Sequence, residues 1–327
     1  FSSRRRHTRY GTVTGVQTCA LPISLFISAA FLVIFFTLSA FGLIQSIENA
    51  YLIGEASRWC ERVSDGLFRE PVNTLSNLGF MVVGLIIFWT LCKDENNNKN
   101  PFIGINPISV LYASVVIYLG PGSMLMHGTN TEWGGWADNL SMIMYIILPW
   151  LYNIYSMSNW SKYKFLSIYT SIVIIYSVTR WFTDYELGIN FNLFGVSIGL
   201  WVISETLYKF WSLSFRLTSG LVGFLVLMIF GTMPNEVFNN LNEYWWIILF
   251  WLPGLLSTNQ PSYSRTYKWF FLGMASYLTA FSIWLTGVPD NANCVPDSLI
   301  QAHGIWHLLT AISTYFFFMH YRSAKIG

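Results

Sequence analysis

Apolar runs of membrane-spanning length recur along almost the whole of this chain, and they leave its backbone few choices. In hydrocarbon no water satisfies a free N–H or C=O, so a spanning segment must be a helix or part of a closed barrel. A helix needs about 20 apolar residues to cross, whereas barrel strands alternate over about ten. The runs here are continuous, without alternation. The expected class is therefore an all-α polytopic membrane protein. Ten runs are read, at 24–44, 72–92, 107–127, 137–156, 165–182, 190–210, 217–237, 244–257, 269–287 and 300–320. The run at 244–257 is the shortest. Only 10% of residues are charged, against about 25% in soluble domains. No basic groove, phosphate-cradling glycine loop or internal repeat is present, so nucleic acid is not an expected partner, and no obligate protein partner is evident.

Residues 1–23 have neither membrane nor core logic. They resemble translated sequencing-adapter read-through and are set aside as an assembly artefact. The expected organisation is then an additional transmembrane helix in 24–47, an outer loop at 48–71, and a transmembrane domain at 72–321. If the helices alternate, one set of loops holds Lys93, Lys99, Lys162, Lys164, Lys209, Arg216, Arg265, Lys268, Arg322 and Lys325. The other holds Arg58, Arg62 and Arg69, with Arg180 at a helix end. An excess of Lys and Arg marks the cytoplasmic side. The C-terminus is expected there, and with an even helix count so is the N-terminus.

Three of the five histidines carry the chemistry. His303 and His307 stand as H-G-I-W-H, an i, i+4 pair that points two imidazoles at one spot on a helix. His127 ends another apolar run. Helix parity brings all three to the non-cytoplasmic side. Polar ligands at membrane depth are costly and mark function. Three imidazoles with a fourth position open form the layout of catalytic zinc. Gly304 permits a close helix approach beside the pair. Ser123 lies one turn before His127 and so shares its face. It suits an oxyanion donor or a hydroxyl bonded back to its own helix. Asp138 follows across a short loop, placed to act as general base or to orient a histidine ligand. Glu132, within that loop, reads as a solvated acid.

The stretch E-P-V-N-T-L-S-N-L at 70–78 puts Glu70, Asn73 and Asn77 on one helical face, with Ser76 beside them. This is either a structural polar network or a set that shapes the site. In the loop before it, Glu61, Ser64, Asp65 and Glu70 offer oxygens to a hard cation such as calcium, or are surface acids. Cys60 and Cys294 both fall in outer loops, where an oxidising compartment permits a disulfide. Cys92, at the opposite side, is expected to be free. His320, also at that side, reads as an interface residue.

W-C-E at 59–61, E-P-V-N-T-L-S-N-L, S-M-L-M-H at 123–127, D-N-L-S-M at 138–142 and H-G-I-W-H at 303–307 together resemble the alkaline ceramidase family. That family belongs to a wider superfamily with adiponectin-type receptors and GPI-lipid remodelling proteins. The resemblance implies a seven-helix core, here with about three more helices. It implies Zn2+ on His127, His303 and His307, Asp138 activating water and Ser123 assisting at the oxyanion. The implied reaction cleaves the amide of a ceramide-like membrane lipid into a sphingoid base and a fatty acid. The family also has a calcium site in the segment matching 58–70. Trp59 (through its carbonyl), Glu61 and Glu70 carry over to it. Arg58 stands in place of an acid, Val63 in place of an amide, and the spacer before Glu70 is shorter, with Asp65 expected to compensate. The resemblance further implies a Cys60–Cys294 disulfide.

Two other classes compete. A receptor of the adiponectin type would use the same metal site for sensing, but that group places it on the cytoplasmic side. A serine intramembrane protease would read P-G-S-M at 121–124 as its nucleophile and leave two histidines idle. The expected setting is a bacterial cytoplasmic membrane with the site toward the periplasm.

Overall fold

The structure, a computed structural model, describes residues 20–45, 47–94, 99–183 and 191–326. It is mostly helical. In chain order the helices are α1 (Ala20–Ala40), α2 (Pro71–Ser76), α3 (Leu78–Lys93), α4 (Pro107–Thr129), α5 (Glu132–Ser156), α6 (Lys162–Thr183), α7 (Leu193–Lys209), α8 (Leu213–Thr218), α9 (Leu221–Ile229), α10 (Pro234–Asn239), α11 (Leu252–Leu256), α12 (Tyr267–Trp284) and α13 (Ala302–Arg322). Two two-residue strands, Tyr263–Ser264 and Lys325–Ile326, pair antiparallel near the C-terminus. By length and composition four described helical stretches can cross a membrane: Ala20–Ala40, Pro71–Lys93, Pro107–Thr129 and Lys162–Thr183.

Residues 1–19 lie outside the described part. Helix α1 begins at Ala20, so four residues set aside with the leader form its first turn. It packs on α3 and α4 through Phe35, which stacks on Phe68 at 5.2 Å. Most of its surface is exposed apolar side chain, as expected of a helix facing lipid.

Two of the ten expected spans are broken. The run 217–237 divides among α8, α9 and α10, and 244–257 becomes a 3₁₀ turn, Trp245–Trp251, followed by α11. Nine residues of α9 rise only about 14 Å, against a core of about 30 Å. Gly231, at φ 86°, turns the chain after α9, and Pro234 then opens α10. The pieces fold as a hairpin against α7. Phe250 is buried against Gly199 and Gly223, and Arg216 Nε donates to the Gly254 carbonyl at 3.0 Å. An out-and-back hairpin preserves the parity of the helices around it.

The site depends on how α4 meets α5. Asn130, in the left-handed region at φ 53°, stops α4. Thr131 then caps α5, its hydroxyl accepting from Gly134 N. The turn is so short that the two helices return side by side. At Gly122 a Cβ would sit 2.6 Å from the Ser141 Cβ and 2.9 Å from the Ala137 carbonyl. No larger residue permits that approach, which sets Ser123 beside Asp138.

Segment 47–70 lies over the same end. Its 54–63 part is a tight hairpin, closed by Gly54 N to Val63 O and Val63 N to Glu55 O, both 2.9 Å. The chain then runs along the end of α4, where Arg69 N and Glu70 N donate to the Gly128 and His127 carbonyls at 3.1 and 2.9 Å. These bonds satisfy carbonyls that the helix end leaves free. Cys60 joins Cys294 in a disulfide, as expected, tying the hairpin to the loop before α13. Cys92 is disulfide-bonded as well, not free.

Candidate metal centre

His127, His303 and His307 come together where the C-terminal end of α4 meets the N-terminal end of α13, all three buried. One ligand nitrogen from each lies within 4.8 Å of the others, and the Nε2 atoms of His127 and His303 are 3.1 Å apart. Helix α13 reaches this depth because Gly304 passes Val72 closely: a Cβ there would be 3.3 Å from Val72 Cγ1.

The outer nitrogens decide what the inner ones can do. Glu70 Oε2 lies 2.8 Å from His127 Nδ1. A carboxylate only accepts, so Nδ1 carries the proton and Nε2 presents a lone pair. Ser76 Oγ lies 2.8 Å from His307 Nδ1. Its own proton goes to the Asn73 carbonyl at 2.9 Å, so it accepts from the imidazole. His307 Nε2 is therefore also a lone pair. Among the described residues the buried His303 Nδ1 has no hydrogen-bond partner. Its ring is held instead by Trp59, stacked on it at 4.4 Å and 14°. Convergent, buried imidazole acceptors with their outer nitrogens tied fit a divalent ion of the zinc type.

Ser123 and Asp138 complete the floor. Ser123 lies beside the Asp138 carboxyl, which in turn lies near His127. Glu132 is exposed, as expected of a solvated acid.

The polar stretch at 70–78 folds as two linked layers. Asn73 Nδ2 donates to Glu70 Oε2 at 2.8 Å, and Asn77 Nδ2 donates to the Asn73 carbonyl at 2.8 Å. Glu61 crosses from the hairpin to cap α2. Its two oxygens accept from Val72 N and Asn73 N at 2.7 and 2.8 Å. Burial pushes the Glu61 carboxyl up, against those two backbone donors. Burial acts in the same sense on Glu70, but His127 outweighs it and holds that carboxyl below its usual range. Asp65 is far more exposed and pairs with Arg69 at 3.1 Å.

Sequence reasoning placed the three histidines, Ser123 and Asp138 together, and the structure does so too. It left Glu70 open between a polar network, a part in shaping the site, a cation ligand and a surface acid, whereas here Glu70 grips His127. It did not find Ser76 on His307 or the Trp59 ring on His303. The available signal was the disulfide, since a bond from Cys60 to Cys294 brings Trp59 to the start of α13. His320, read as an interface residue, is fully buried and bonded to Glu205 at 2.7 Å, because α7 covers it.

No curated protein matches the chain closely enough to count as a relative. The sequence profile of the Ceramidase family matches residues 56–326, from the hairpin that carries Trp59 to the end of the last helix. With that match over most of its length and the histidine centre at its heart, the chain belongs to the Ceramidase family.

Proposed function

We propose that this protein is a zinc-dependent intramembrane amidase, cleaving the N-acyl amide of ceramide-like lipids into a sphingoid base and a fatty acid. The observation that carries this reading is the preset pair of imidazole acceptors, His127 and His307, converging with His303 beside the Ser123–Asp138 pair. The three histidines would hold the ion. Zinc would supply Lewis acidity toward the scissile carbonyl and acidify water at neutral pH. Asp138 takes a proton from the attacking water and returns it to the leaving amine, so the carboxylate ends as it began. Ser123, beside Asp138, turns its proton to the carbonyl oxygen as negative charge grows there.

The membrane arrangement is part of the proposal. Helices α2–α3 (one span), α4, α5, α6, α7, α12 and α13 form a seven-helix core, with α1 outside it and the α8–α11 hairpin inserted. The site then opens at the outer leaflet, toward the periplasm of a bacterial cytoplasmic membrane, with the C-terminus in the cytoplasm. A scissile amide near the interface reaches it laterally.

The test is Asp138→Asn. It should keep the metal and lose about 10²–10⁴-fold in turnover, read as fatty-acid release from labelled ceramide beside metal content. An active Asp138→Asn would remove the base from the scheme. A zinc-loaded wild type without turnover would favour the sensing reading.

A further inference from the structure

Segment 57–70 matches a calcium-binding segment in the family, and its residues here do not make one. Calcium takes six to eight oxygen ligands. Asp65 is drawn off to Arg69, and Val63 is an apolar residue buried within the hairpin. Glu61 spends both oxygens on the start of α2, and Glu70 Oε2 is committed to His127 and Asn73. Beyond these two carboxylates the expected set leaves the Trp59 carbonyl and Ser64 Oγ, which already accepts from Gly66 N at 2.9 Å. Arg58 adds a fixed positive charge at the same place, which opposes a second cation.

The segment is ordered by other means. The disulfide and the Arg62–Asp297 pair, with its two bonds of 2.6 and 2.7 Å, fix the hairpin to the loop before α13. The Arg58 guanidinium lies over the Trp59 indole at 4.7 Å and reaches toward Met126, next to His127. Trp284 packs on Trp59 at 5.3 Å. The stack Arg58–Trp59–His303 thus ends on the one ligand imidazole whose outer nitrogen has no hydrogen-bond partner. The guanidinium is exposed, and a cation over an indole face is attracted by the electrons of the ring.

We propose that segment 57–70 is a calcium-independent clasp, in which Arg58 and Trp59 are positioning residues that hold the His303 ring for the metal. The positioning role rests on the zinc reading above; the calcium statement does not.

The experiment uses the full chain purified in detergent with zinc present and calcium omitted. Metal content is measured for both ions, the melting temperature is followed through added Ca2+, and zinc is withdrawn with a competing chelator. Wild type should carry no stoichiometric calcium. Its melting temperature should not move up to about 5 mM Ca2+, above the range of weak extracellular calcium modules. Arg58→Ala should hold zinc about twofold to fivefold more weakly, the fold-change of an exposed cation–π contact. Arg58→Lys, which keeps a cation for the indole, should recover most of that loss. Stoichiometric calcium, or a calcium-dependent rise in melting temperature, would overturn the calcium statement. Unchanged zinc affinity in Arg58→Ala, or no recovery in Arg58→Lys, would overturn the positioning role. A wild type without zinc would instead overturn the metal reading, and the positioning role with it.

Discussion

Helix α13 buries three histidines, and its two ends use them in opposite ways. At its C-terminal end, the inner end in the topology proposed above, His320 Nε2 meets Glu205 Oε1 at 2.7 Å. Glu205 Oε2 takes Arg265 and Asn153, both at 2.9 Å, and Arg265 also donates to Asn153 Oδ1 at 2.7 Å. Each carboxylate oxygen of Glu205 faces a donor, and although Arg265 Nε has no partner among the described residues, no two acceptors face each other. At the outer end the partners, Glu70 and Ser76, bind the far sides of the rings and turn the lone pairs of His127 and His307 inward. Burial is alike at the two ends, although one gathers three histidines and the other has a single one. What differs is where the protons sit. A buried polar cluster that closes on itself clamps helices together, whereas one whose acceptors face each other is built around something else.

Breaking the outer end should cost activity rather than fold. His303→Ala removes one ligand and should abolish both zinc retention and turnover, the largest effect expected, while the metal-free protein melts close to metal-free wild type. Metal analysis and differential scanning on the same preparation check this. Breaking the inner end should do the reverse. Arg265→Met leaves the Glu205 carboxylate buried without its guanidinium, which costs about 3–5 kcal/mol. It should lower the melting temperature sharply and leave zinc per folded chain unchanged. Loss of zinc in Arg265→Met would mean that the ends are coupled.

Smaller changes sharpen the contrast. Glu70→Gln keeps the shape of the side chain but not its charge, and should weaken zinc about tenfold to a hundredfold, measured by chelator competition. Unaltered affinity would make Glu70 a structural cap only. The smallest effect is expected at the exposed Arg62–Asp297 pair. Its hydrogen bond with Arg62 holds the Asp297 carboxyl below the usual range. A depressed carboxylate stabilises the fold above its unfolded value of about 4, and that contribution is lost as pH falls through the lower folded value. Asp297→Asn should therefore lower stability slightly at neutral pH, flatten the acid limb of a stability–pH curve and match wild type once pH falls below the folded value.

The sequence made the outer site legible because its signal is local. The i, i+4 histidine pair, the short turn from His127 to Asp138 and the parity of the runs each follow from spacing. Cys60 and Cys294 needed only a shared side of the membrane. The rest depends on distance in space. An acid just before a helix reads equally well as a cap, a cation ligand or a histidine partner. Glu70 was decided by His127, 57 residues away in sequence. His320 looked like an interface residue until Glu205, 115 residues away, came to cover it. The runs at 217–237 and 244–257 have the apolar content of spans but not the continuity. Hydropathy reports affinity for membrane depth, while Gly231, Pro234 and Pro253 decide whether a helix persists through it.

The most direct test of the central claim is metal content and fatty-acid release measured on one purified sample given labelled ceramide. The account predicts one zinc per chain and turnover that disappears when the ion is stripped and returns when it is restored. Turnover that persists in fully stripped protein, or a folded chain that takes up no zinc, would contradict it.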